Sequence, residues 1–250
     1  MKIEKKIKEK YLFEGNFITK NIYFFFNKYI SKFVSFRKSY SQGAMDLILD
    51  TILKKKDSGV YVDVGCQHPI KNNNTYLLFK RGWSGVNIDL DKFNIELFKF
   101  NRPRDYNVNK AVSDKKEIVD LYFYHQKSPI NTLNKKISEL QNDSVSEIKK
   151  METETLSSIL DSSPYKSIDV LSIDVEGSEL KVLKGLNFDK YKPKLIIVEY
   201  LDLKANKWEI PYNNFKNIQS SEIYNFLISK NYNFVNWVNG DLVFVSRHFF

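Results

Sequence analysis

The sequence is poor in the residues that cross-link a fold or read nucleic acid. It holds one cysteine, Cys66, in 250 residues, so an internal disulfide is excluded, and a reducing, cytoplasmic setting suits it. No G-x-G-x-x-G run occurs among its nine glycines, which argues against a dinucleotide loop of the NAD type. Arginine is scarce, with five of the 39 basic residues (Arg37, Arg81, Arg102, Arg104, Arg247). Because arginine is the usual reader of base edges and phosphate, a nucleic-acid substrate is disfavoured despite a formal charge of +9. No apolar region follows the basic first residues, so no secretory signal is expected. The longest aromatic run, Ile22 to Phe26, is too short to span a bilayer.

What is there suffices for a substantial core, since hydrophobic residues make up 42% and aromatics 15% of the chain. Residues 1–40 form a basic, aromatic leader. Tyr23, Phe24, Phe26, Tyr29, Ile30, Phe33 and Val34 recur there at helical spacing with lysines between them. Such a helix admits two readings: peripheral contact with a membrane or the substrate, or packing on the domain or a second subunit of a homo-oligomer. Residues 41–250 read as one further domain, with no internal repeat.

Four short apolar runs in that domain each end in a carboxylate. They are Val60 to Asp63, Val86 to Asp89, Val170 to Asp174 and Leu195 to Glu199. Their length and Val/Ile content predict buried parallel strands. In an open α/β sheet the ligand lies outside the carboxyl ends of the strands, so the four acids are expected to line one edge. Helices are expected at 44–55, after Asn72-Asn73-Asn74, at 92–100 before Pro103, near 137–150, from Gly177 and at 221–230. Further strands are expected at 106–112, 118–124, 232–238 and 241–246, with Asn239-Gly240 as a tight hairpin turn. Residues 125–155 are polar and suit a substrate loop or lid.

Gly65 follows the first carboxylate-ended strand, where the backbone turns and approaches a ligand closely. Asp89 ends the next strand 24 residues later, as a carboxylate that accepts ribose hydroxyls would. The pair points to a nucleoside cofactor.

The chain resembles the FkbM family of S-adenosylmethionine-dependent methyltransferases. The resemblance rests on Tyr61 to Gly65, Asn74-Thr75-Tyr76, Gly82 to Gly85, Arg102 to Asp105, Asn109 to Ser113, Leu171 to Gly177 with its Ile-Asp-Val-Glu-Gly core, and Val198-Glu199. It implies a class I methyltransferase fold: a Rossmann-like α/β domain with a mostly parallel sheet and a C-terminal antiparallel hairpin. It also implies S-adenosyl-L-methionine as cofactor and O-methylation of a hydroxyl on a sugar, glycan precursor, surface polysaccharide, polyketide or related metabolite. A non-catalytic subunit that binds cofactor or glycan is the alternative. The chain departs from the family pattern at Ser172, where many members have Lys, at Asp89 in place of the commoner Glu, and at His68-Pro69, where the generic loop has its second glycine.

On that resemblance, Asp89 is expected to bind the ribose and Gly65 to admit the methionine part. Asp63 is a candidate partner for the methionine amino group, or a cap for its own loop. Asn74 and Thr75 are candidates for the methionine carboxylate, or simple helix caps. Ala111, Val112 and Ser113 are expected to flank the adenine. Asp174 and Glu176 are candidates for the general base and its orienting partner. With Glu199 they are alternatively candidates for a divalent ion, which is not favoured. His68 is a second candidate base, with packing or hydrogen bonding as its other reading. Cys66 has no partner base in view and is not expected to act as a nucleophile.

Overall fold

Alternation along the strands decides where the core lies. In β1 (Val60–Val64), Val62 and Val64 face one apolar cluster and Tyr61 the other; both clusters are buried. The same split recurs in β8 (Leu195–Glu199), with Ile196 and Val198 on one side and Leu195 and Ile197 on the other. A sheet apolar on both faces must be covered on both faces, as parallel sheets are. The computed structural model describes residues 17–30, 38–54, 56–141, 143–200, 215–238 and 240–249.

The chain divides into two compact units, residues 1–38 and 39–250. In the first, α1 (Phe17–Tyr29) is the described element; Phe33 and Val34 of the expected aromatic stripe lie outside the described residues.

The second unit is an α/β fold around a seven-stranded sheet in the order β3-β2-β1-β7-β8-β10-β9. Here β2 is Ser84–Asp89, β3 Tyr106–Asn109, β7 Val170–Ile173, β9 Tyr232–Val238 and β10 Asp241–Ser246. β3, β2, β1, β7 and β8 pair in parallel, and β10 is antiparallel to both β8 and β9. The mostly parallel sheet closed by a C-terminal hairpin is the architecture expected. Asp241 pairs with Val238 across that hairpin and Gly240 takes φ +94°; Asn239 lies outside the described residues.

One face is covered by α2 (Met45–Ile52) and α3 (Tyr76–Lys80), which bury Met45, Leu49 and Leu78 with Trp83. The other is covered by α6 (Leu156–Asp161), α7 (Glu179–Lys184) and α9 (Glu222–Ser229), through residues such as Leu156, Leu183 and Leu227. α4 (Lys92–Asn101) starts where the Asp91 side chain accepts the Phe93 N–H. Two short helices, α5 (Lys135–Leu140) and α8 (Phe215–Ser220), complete the set.

Three expectations are corrected. The strand expected over 106–112 is two strands: β3 stays in the main sheet, while β4 (Ala111–Ser113) joins a second, three-stranded sheet in the order β4-β6-β5. The break falls at Lys110, where Asn109 Nδ2 and Lys110 N both donate to the Asp89 carbonyl. The helix expected over 137–150 stops at Leu140, and Glu147–Thr155 is instead strand β6, antiparallel to β5 (Ile118–Phe123). Its Glu, Lys and Met residues favour helix, but ladder pairing and cross-strand contacts prevail, such as Lys150 to Asp120 and Lys149 over the Phe123 ring. The helix expected from Gly177 begins at Glu179, because Gly177 itself takes φ +93°.

Candidate active site

The register of the sheet sorts the four strand-end acids. Val64 is level with Ile88 and Ile173, and Ile173 with Val198. Asp89, Asp174 and Glu199 each stand one residue beyond that row, at the carboxyl edge. Asp63 stands one residue before it, level with Asn87 and Ser172. The expectation that all four acids line one edge is therefore corrected to three. Asp241, which opens antiparallel β10 opposite Glu199, brings a carboxylate from the hairpin to the same edge.

A cleft opens beyond this edge, at the carboxyl ends of the strands where open α/β sheets place their ligands. Its floor is Gly65, Asp89, Ala111, Val112, Asp174 and Glu176. Its outer wall is a strap from the polar insertion, contributing Ser128, Pro129, Asn131 and Leu133. The strap is tied at both ends. Lys127 N donates to Asp91 Oδ2 at 2.7 Å on the β2 side. On the β7 side, Thr132 Oγ1 donates to the Glu176 carbonyl and Asn134 Nδ2 to the Gly177 carbonyl, both at 2.7 Å.

At one end of the cleft, Asp89 Oδ2 accepts Gln67 N at 2.8 Å, and Oδ1 accepts Asp91 N at 2.7 Å. Burial pushes its carboxyl up to about 6 despite those donors. Oδ1 also accepts Asn94 Nδ2 at 3.3 Å, so the lone pair left for a hydroxyl donor is on Oδ2. Ser128 Oγ, which the sequence reading missed, is buried in the opposite wall without a partner among the described residues. Gly65 turns at φ +78°, and a Cβ there would strike the main-chain oxygen of Asp174. A turn bare of side chain, a ribose-height carboxylate and an unpaired hydroxyl suit a nucleoside with an extended tail, the shape of S-adenosylmethionine.

At the other end the acids gather. Asp174, Glu176 and Glu199 each offer a carboxylate oxygen, all within 4.8 Å of one another. Asp174 is open to the cleft on one side but crowded by protein elsewhere, and burial raises its carboxyl to about 6. Glu199 shares a hydrogen bond with it and is pushed much further up, by burial and then by the Asp174, Glu176 and Glu179 charges. Burial and mutual repulsion raise both carboxyls, so the pair holds a proton between them to higher pH than either would alone. Burial and the Asp174 charge raise Glu176 to about 8, and the same causes raise Asp241 to about 7. Glu176 takes φ +55°, a costly conformation outside glycine. Glu179 holds that turn, accepting Val175 N and Gly177 N through one oxygen.

The other sequence candidates lie elsewhere. Asp63 is buried on the α3 side of the sheet, where its Oδ2 accepts Asn73 Nδ2 at 3.0 Å and Thr75 Oγ1 at 2.8 Å. Fully buried Arg102 binds this network from below, donating to Thr75 Oγ1, Asn73 Oδ1 and the Pro69 carbonyl. Asp63 and Thr75 thus brace the loop after β1; Asp63 does so as the cap of its own loop, whereas Thr75 stands at the N-terminus of α3 without a side-chain cap bond. Asn74 Nδ2 donates to Ser172 Oγ at 3.3 Å and bonds Asp241, so it abuts the acid cluster. Ser113 Oγ turns to Asp114 Oδ1 and does not line the cleft. His68 Nδ1 accepts the N–H groups of Ile70 and Lys71. A neutral ring so held carries its proton on Nε2 and presents no free basic nitrogen, and burial and nearby Lys71 lower its pKa. Cys66 is buried against Ile95 and Phe98 with its thiol pushed up by burial.

A family model described as the methyltransferase FkbM domain matches residues 63–235. Among solved structures, the chain is similar to methyltransferase FkbM from Methylobacillus flagellatus, at 15% identity and a TM-score of 0.45 over 76% of this chain and 44% of that one. The chain thus spans less than half the length of that protein. It is also similar to a TehB-like SAM-dependent methyltransferase from Corynebacterium glutamicum, at 14% identity and a TM-score of 0.38 over 81% of this chain and 87% of that one. No curated protein matches.

Proposed function

The chain belongs to the FkbM methyltransferase family, and on that premise we propose that it methylates a hydroxyl of a sugar, glycan precursor or surface polysaccharide with S-adenosylmethionine as donor. The observation that carries this reading is that Asp89 and Asp174 stand at two ends of one cleft: one end suits a ribose, the other a proton acceptor. The glycan, rather than another metabolite such as a polyketide, rests on the family resemblance.

The donor, when bound, supplies an electrophilic methyl group on a sulfonium. The protein's share is placement and proton removal. Asp89 accepts from the ribose hydroxyls, Ala111 and Val112 flank the base, and the Ser128 hydroxyl supplies a polar contact from the strap. Gly65 lets the donor's tail pass over the tip of β1. At the far end, Asp174 accepts the acceptor's hydroxyl proton, being ionised above about pH 6. Glu199, protonated, donates to Asp174 and holds it in place. Glu176, raised to about 8, is protonated enough at neutral pH to donate a hydrogen bond to the acceptor.

The same cluster favours a second reading, in which Asp174, Glu176 and Glu199 bind a divalent cation that positions the acceptor. Their oxygens are close enough to share one ion, and hard oxygen donors suit Mg²⁺.

Calorimetry with S-adenosylmethionine, followed by methyl transfer from labelled donor to a panel from monosaccharides to polymers, tests the proposal. Saturable donor binding and label on a sugar hydroxyl are expected. Label on non-sugar hydroxyls alone moves the assignment to another metabolite. Donor binding without turnover on any acceptor makes the chain a binding subunit.

A further inference from the structure

The first unit carries charge and apolar surface that methyl transfer does not use. Residues 1–40 hold ten Lys and Arg against three Glu, a net of seven of the chain's nine positive charges. Within them α1 has Lys20 and Lys28 and no acid. Ile18, Ile22, Phe25 and Tyr29 follow one another at steps of four, three and four, so they form one stripe. With Phe26 beside them they keep 45–65% of their surface open, and the Phe25 and Tyr29 rings touch at 4.7 Å between centroids. At 100° per residue Lys20 falls opposite the stripe and Lys28 on its flank.

A helix of 13 residues is marginal alone in water, and this one is rich in aromatic and β-branched residues with lower helix propensity. It needs a surface over its stripe. No helix among the described residues is long and apolar enough to cross a membrane. A second copy is a poor cover, because it would bring seven excess positive charges against seven more. A surface that is apolar within and anionic at its rim meets both demands.

We propose that the first unit docks on an anionic phospholipid surface. α1 lies in the plane of the interface, with Ile18, Ile22, Phe25 and Tyr29 in the acyl boundary and the lysines against headgroup phosphates. Docking would hold the catalytic unit beside a membrane-borne acceptor, but the proposal does not depend on the acceptor's identity.

The test is co-sedimentation of the full chain with vesicles of phosphatidylcholine alone or with added phosphatidylglycerol, at low and high salt. Binding is expected to the anionic vesicles and to weaken about tenfold or more at high salt. The double variant Ile22→Glu, Phe25→Glu is expected to bind on the order of 100-fold more weakly. Its donor affinity and thermal unfolding, which report on the other unit, should not change. Absence of vesicle binding, equal binding to neutral vesicles, or undiminished binding by the variant would overturn the proposal. So would a solution dimer that the double variant dissociates while the parent chain leaves vesicles in the supernatant, since the stripe would then be an interface between copies.

Discussion

Gly65, at the tip of β1, packs so closely on the main-chain oxygen of Asp174, at the tip of β7, that no Cβ fits between them. The contact ties the Asp89 end of the cleft to the Asp174 end through backbone alone. Gly65→Ala meets both the clash and a left-handed φ, which costs about 1 kcal/mol or more by itself. The variant is expected to unfold at lower temperature and to lose donor affinity by about tenfold or more. Calorimetry alongside thermal unfolding separates the two losses, and parent-like affinity would mean that the donor does not pass this turn.

Asp174→Asn keeps the shape of the proposed proton acceptor but removes its basicity. Turnover is expected to fall by about 100-fold or more while donor affinity stays within about threefold of the parent. Glu176→Gln, which keeps a hydrogen-bond donor, should cost less in kcat than in acceptor KM. If Asp174→Asn turns over normally, another group takes the proton.

The acid cluster makes stability depend on pH in a definite direction. Unfolded carboxyls titrate near 4, whereas burial and mutual repulsion hold Asp241 at about 7 and Glu176 at about 8 in the fold. Between these values the folded chain binds more protons than the unfolded chain, so stability is full below about pH 4 and is lost as pH rises towards 8. Asp241→Asn removes one such charge and should be more stable than the parent at pH 8 by on the order of 1 kcal/mol, with little gain at pH 5. Thermal unfolding across pH checks the slope. Repeating it with millimolar Mg²⁺ decides between the two readings of the cluster. A cation-dependent rise in Tm at pH 8 that Glu199→Gln abolishes supports a bound ion, and no rise supports a shared proton.

Arg102 is buried with its guanidinium on three acceptors below the loop after β1. Removing it leaves the buried Thr75, Asn73 and Pro69 acceptors without their donor and takes away the positive charge that favours the ionised Asp63. Arg102→Met is expected to destabilise by about 3–5 kcal/mol, and Arg102→Lys to recover little, because an ammonium cannot span the fork. Denaturant unfolding measures both. A change under about 1 kcal/mol for Arg102→Met would show that the network is dispensable.

Much of this fold was legible from local pattern. The short Val/Ile runs, the Gly65 turn, Asp89 on the next strand and the final hairpin all follow from neighbours in sequence. The strap was legible as a polar insertion, but its strand β6 was not: Glu147 to Thr155 looks helical until β5 supplies a ladder partner. Asp241 was missed as a site residue because nothing near it in sequence places it beside Glu199. Asp63 was misplaced although alternation held the clue, since Tyr61 and Asp63 share a face and Tyr61 belongs to the α2–α3 side.

Residue types and their order alone determined that acids would punctuate buried strands and that a parallel sheet would carry them. Which of those acids meet was decided by strand register, a relation between segments up to about a hundred residues apart, set by packing on both faces of the sheet. Standing one residue before the Val64–Ile88–Ile173 row puts Asp63 inside the sheet with Thr75 and Asn73, while standing one residue beyond it leaves Asp89, Asp174 and Glu199 at the open edge.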